Sequence, residues 1–173
     1  PELRGLFASI GIEKGKSFSP DARMKGLLTD AVAVGNATAR AITFKTREKE
    51  SSIFKTGQWE SGFIGGNYQW LKSEGKGGRF LDARTRFFYA ATVNTPAMVL
   101  KMVGRGSQYA IAFLDAEGNY LDGRKNYTLN IPANVPAKDF WSVVMYDPQT
   151  RSELQTDQAL PSVSSQRTPL VAN

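Results

Sequence analysis

The sequence predicts an α+β protein in which amphipathic helices lead into an antiparallel β-structure. Two observations carry this. Apolar residues recur at helical spacing through Met24, Leu27, Leu28, Ala31, Val34 and Ala39, and again through Phe80, Leu81, Phe87, Phe88 and Ala91. Between Gly106 and Tyr146, short runs rich in aromatic and β-branched residues alternate with the turn signals Asp115-Ala-Glu-Gly118 and Asp122-Gly123. Runs of that kind fit a pleated, half-buried surface, and Asp and Gly supply the backbone geometry of tight turns.

In chain order, Glu2–Ile10 is apolar at positions 3, 6, 7 and 10 and is followed by Gly11, which predicts a short helix with a C-terminal glycine. Gly11-Ile-Glu-Lys-Gly-Lys-Ser17 has the residue types of a phosphate-binding loop. However, three residues separate the first Gly from the Gly-Lys pair where that loop has four, and a helix precedes it in place of a strand. Ser19-Pro20-Asp21 opens the next helix, read as a hydroxyl N-cap, a proline at the first helical position and an acid in the first turn. That helix spans 19–40, and a second long one spans 81–93, with Pro96 ending or restarting it. Strands are expected over 108–114, 126–131 and 140–146, as antiparallel neighbours in one sheet. Phe140–Tyr146 is expected at its centre, because both of its alternating faces are largely apolar. A turn at Asp147-Pro148-Gln149-Thr150 precedes a short strand near Arg151–Gln155. From Thr156 the chain turns polar, so the β-structure is expected to be incomplete, with open edges that invite a second polypeptide.

Composition narrows the chemistry. The chain has 173 residues, enough for one domain with its own core, and no apolar run approaches the ~20 residues of a bilayer-spanning helix. With no Cys and no His, the chain itself offers no thiolate nucleophile, no imidazole base and no His- or Cys-ligated metal. No cofactor is implied. The chain begins at Pro1 without a signal-peptide pattern, as a processed or trimmed product would. The net charge of +6 is uneven: residues 72–105 hold 7 basic against 2 acidic side chains, whereas 106–173 hold 5 against 7. Arg79, Arg84 and Arg86 of the basic block are read as the solvated face of a helix, which disfavours nucleic acid as a partner.

Between Gly57 and Gly78, seven glycines alternate with Trp59, Phe63, Tyr68 and Trp70. So long a loop favours function or partner contact over a plain connector, and its aromatics either anchor it to the core or stack on a planar or sugar ligand. Domain organisation is read as a helical and Gly/aromatic lead-in over 1–105 and a β-region over 106–173, within one structural domain.

Tyr109, Asp115-Ala-Glu-Gly118, Leu121-Asp-Gly123, Tyr127-Thr-Leu129, Pro136, Phe140-Trp-Ser142 and Met145-Tyr-Asp147 form a pattern. It resembles that of a family of bacterial proteins built from two domains of unknown function, numbered twelve-fifty-four and twelve-fourteen, and the likeness is to the second. Gly11-Ile12, Gly15-Lys16, Phe18-Ser-Pro-Asp21 and Pro161-Ser-Val-Ser-Ser165 extend it over nearly the whole chain. The resemblance implies a jelly-roll-like β-structure after a helical lead-in, in exported or envelope proteins found in the periplasm or secreted, with no established activity. Against that pattern the first domain and the strands expected after Ser165 are missing.

The preferred functional reading is a non-catalytic soluble module binding a carbohydrate, a small molecule or a partner chain. That partner is either the remaining part of the same protein or a second copy joined through open sheet edges. Trp59, Tyr68, Trp70, Tyr109, Trp141, Asp147 and Arg151 are the candidate ligand-binding residues. The alternative is a hydrolase or lyase using sheet carboxylates, Asp147 with Arg151 or a Tyr. Against it, Asp115, Asp122 and Asp147 each stand close before Gly or Pro, the setting of a turn residue that caps its own backbone.

Overall fold

The computed structural model describes residues 3–55 and 57–167. Glu2, with which the first predicted helix begins, and the end of the polar tail, 168–173, lie outside them. The chain divides into two compact units, Pro1–Arg47 and Glu48–Asn173.

The first unit is helical. α1 (Arg4–Ser9) is a single short helix, and α2 (Ala22–Phe44) is the long one. Its cap is displaced by two residues from the expected Ser19: Asp21 is the extended N-cap residue, and its Oδ1 accepts the Met24 N–H at 2.7 Å. Pro20 therefore precedes the helix, and Asp21 satisfies a first-turn N–H that would otherwise go unpaired. Met24, Leu28, Ala39 and Ile42 are half-buried, while Leu27, Val32 and Val34 are exposed. No described helix is long and apolar enough to cross a membrane.

The second unit is built around α4 (Leu81–Ala91). Ile64, Trp70, Phe80, Ala83 and Phe87 are its buried apolar side chains, with Phe63 packed against them. Phe87 stacks on Phe63 at 4.8 Å and meets Trp70 at 5.2 Å. The Gly-rich loop thus folds back over α4, held by its own backbone. Phe80 N–H donates to Trp70 O (2.6 Å), and Lys72 N–H donates to Gly78 O (2.9 Å). Between them α3 (Lys72–Gly75) is one turn with Ser73 and Glu74 in the left-handed region. Arg86 does not lie on a solvated face as the basic block suggested. It is 2% exposed, because positions 83, 86 and 87 share the stripe that faces the core. The opposite stripe carries the exposed Leu81, Arg84 and Phe88. α4 ends at Ala91 with Thr92 as its C-cap residue, and Pro96 begins α5 (Pro96–Val99) at its first position.

The β-structure departs most from expectation. Among the described residues it is one two-stranded antiparallel sheet, β1 (Ser142–Val144) with β2 (Ser162–Ser164), in the register Ser142↔Ser164, Val143↔Val163 and Val144↔Ser162. The expected strands at 108–114 and 126–131 are not formed. Ile111 makes a single bridge to Glu60, and Leu114 pairs with Tyr120 across the Asp115–Gly118 turn, where Gly118 takes φ 81°. Nor is Phe140–Tyr146 covered on both faces: Phe140, Met145 and Tyr146 are exposed and Trp141 is half-buried. The polar tail, read as having no strand, supplies β2. Serines alternating about Val163 are compatible with a strand exposed on one face, and backbone pairing does not need apolar side chains. Near Arg151–Gln155 pairing occurs at Tyr146↔Glu153 and through Leu154 N–H to Met145 O.

A chain of 19.0 kDa folded as a compact monomer exposes about 8,400 Å², and about 10,000 Å² if it forms two separate bodies. This chain exposes 14042 Å². Large apolar and aromatic side chains contribute to it: Leu6, Val32, Phe88, Val93, Leu100, Val103, Tyr109 and Tyr146 are all exposed by half or more.

Candidate functional site

The Gly/aromatic loop and the start of the β-region meet at Glu60. Its N–H donates to Ile111 O (2.8 Å) and its carbonyl accepts the Ile111 N–H (2.9 Å), while the next residue, Ser61, donates its N–H to Ser51 O (2.7 Å). This pairing brings 107–111 alongside 59–63. Beneath it, the Arg86 guanidinium donates to Glu60 Oε2 at 2.6 Å and to Ser61 O at 3.0 Å, with the Phe113 ring 5.8 Å away. Burial pushes the Glu60 carboxyl above its ordinary pKa, and the Arg86 charge offsets part of that rise. Burial lowers the Arg86 pKa and the Glu60 charge offsets part of that. The pair fastens the loop to α4.

Above this fastening lies a cleft of about 170 Å³. Phe63, held from behind by Phe87, Met98 of α5, Leu100, Met102, Arg105 and Tyr109 line it. A turn closed by Arg105 N–H to Met102 O at 3.2 Å sets Met102 and Arg105 on one rim. Tyr109 is two residues before the Ile111 bridge, which places it on the other. A second cleft, of about 290 Å³, runs along β2 past Gln158, Leu160, Ser162, Ser164 and Arg167.

Of the seven candidate residues, Tyr109 alone lines either cleft. Trp70 is in the core, and Trp59 is half-buried with its carbonyl accepting the Ile53 N–H. Tyr68 is exposed, its carbonyl accepting from Asn94 Nδ2 at 3.1 Å. Trp141 sits beside β2, its N–H donating to Ser165 Oγ at 3.1 Å. Asp147 and Arg151 close one hairpin through Arg151 N–H to Asp147 O at 2.7 Å, but their side chains have separate partners. Asp147 Oδ1 accepts the Gln149 N–H at 2.6 Å, and the Arg151 guanidinium lies 5.0 Å from the Tyr89 ring centre. Asp115 and Asp122 likewise cap their own turns. No group of three or more acidic side chains that could hold a metal occurs among the described residues.

The cleft residues Met98, Leu100, Met102 and Arg105 are absent from the residues singled out by sequence. Their signal was the apolar run Ala97–Leu100 with Met102 and Val103, broken only by Lys101, which stands outside any run assigned to a strand. A model of a family described as a protein of unknown function, DUF1214, matches residues 106–173. No curated protein matches the chain.

Proposed function

We propose that this chain is a non-catalytic association module whose main ligand is another polypeptide. The surface area carries the proposal: 14042 Å² against about 10,000 Å² for two compact bodies of the same total mass leaves an excess of about 4,000 Å², within the range that obligate interfaces bury. Both clefts, at about 170 and 290 Å³, fall below the 300–1,000 Å³ typical of drug-sized ligand sites. The aromatic loop directs Trp70 inward, which leaves fewer rings for stacking on a sugar. Among the described residues β1 (Ser142–Val144) pairs with β2 and no other strand, which leaves its far edge for a further strand. In the proposed assembly a partner, either a second copy or a separate domain, adds a strand to this edge. The jelly-roll-like structure implied by the resemblance would be completed in that way. An exported, periplasmic or secreted setting belongs to the same proposal, and fractionation of cells producing the protein tests it.

Sedimentation of the isolated chain is the decisive experiment. Concentration-dependent association, or unfolding without cooperativity while the chain is unpartnered, is expected. A monomer at every soluble concentration, unfolding cooperatively, would overturn the proposal.

A further inference from the structure

We propose that the cleft between Phe63 and Tyr109 is a binding site for a short aliphatic carboxylate, its acyl chain against the Met and Leu side chains and its carboxylate on Arg105. Four features of the site support this assignment. Phe63, Met98, Leu100 and Met102 give the cleft an apolar lining, and the two thioethers adapt to a flexible chain better than branched residues do. A volume of about 170 Å³ suits a few methylenes. Arg105 is the cation on its lining, and no acidic side chain lies there with it. The guanidinium forms no ion pair among the described residues, so its fork stays available for bidentate contact with a carboxylate. Finally, Arg105 closes the stretch 72–105, in which 7 basic residues outnumber 2 acidic ones. Phe63 is held by its stack on Phe87, and the Glu60–Ile111 pairing anchors the backbone two residues beyond Tyr109.

The test is protein-observed NMR of the full chain titrated in parallel with hexanoate, 1-hexanol and hexylammonium. Hexanoate is expected to bind with Kd on the order of 1–10 mM, as its size allows. It should bind about fivefold more tightly than hexanol, moving the Met98 and Met102 methyl and Tyr109 ring signals. Arg105→Gln, a change at an exposed side chain, should remove the preference for hexanoate and leave hexanol binding unchanged. Leu100→Asp should abolish both. Equal affinity for all three probes, an Arg105→Gln protein that keeps the preference, or shifts centred away from the cleft would each overturn the assignment. Because hexanoate and hexanol share the alkyl chain, non-specific apolar binding reads as equal affinity.

Discussion

The Glu60–Arg86 pair shows how unequal burial divides the energetics of one contact. Arg86 is 2% exposed, whereas the Glu60 side chain retains 20% of its surface. Removing the carboxylate strands a buried cation, while removing the cation leaves a carboxylate that can hydrate or take up a proton. Glu60→Leu is therefore expected to cost about 3–5 kcal/mol, and Arg86→Met about 1–2 kcal/mol. The double variant should recover much of the loss, as read from denaturant midpoints; equal single costs would show that Glu60 is as buried as Arg86. Asp122 offers a cleaner titration. Hydrogen bonds from the Arg124 side chain and backbone hold its carboxyl down at about 2, from 3.8. Because the folded value lies below the unfolded one, this contribution is present above pH 3.8 and is lost as pH falls through about 2. NMR titration should place Asp122 near that value, and Arg124→Ala should raise it. An Asp122 unmoved by that change would assign the shift to the backbone bond.

At the scale of elements, the long helices followed their sequence signals, whereas of the three strands expected in the sheet only 140–146 formed, in part, as β1. α2 and α4 formed within a few residues of the expected bounds, since every helical hydrogen bond is made inside the segment. The N-cap moved from Ser19 to Asp21, because Asp21 was the residue whose carboxylate could reach the Met24 N–H. Asp21→Ala should cost about 1 kcal/mol and fray the first turn of α2, seen as faster amide exchange over residues 22–25. No change there would mean that another group caps the helix. Tyr109–Leu114 and Tyr127–Ile131 had the composition of strands but found little to pair with: a single bridge at Ile111, and for Tyr127 a hydroxyl accepting the Asp122 N–H at 2.8 Å. β2 had the composition of a tail and found Ser142–Val144.

For the whole molecule, the same exposure that suggests a partner sets a measurable quantity. Unfolding a 19.0 kDa chain from 14042 Å² to about 27,500 Å² exposes about 0.8 of the area released by two compact bodies of that total mass. The urea m-value of the unpartnered chain should be reduced by the same factor. A full-sized m-value would mean that the chain buries more surface in solution, by closing on itself or by associating, and sedimentation separates the two. Trp141→Ala belongs to this scale as well. With Trp141 half-buried, its truncation should cost less than the ~3–5 kcal/mol of a core tryptophan. A larger loss on dissociation of a complex would place Trp141 at the interface.

By itself the sequence determined the helices, the turns capped by Asp115, Asp122 and Asp147, and the chemistry excluded by the absence of Cys and His. Each of these depends on neighbours a few residues apart, which is the range over which periodicity and capping act. The tertiary structure alone decided that Arg86 is buried against Glu60, that Trp70 turns into the core while Tyr109 lines a cleft, and that Ser162–Ser164 pairs with Ser142–Val144. Arg86 and Glu60 stand 26 positions apart, Trp70 and Phe87 17, and the paired residues of β1 and β2 18 to 22. A strand or an ion pair is completed only by the partner that folding brings to it, and the residues of one segment do not carry the address of the other.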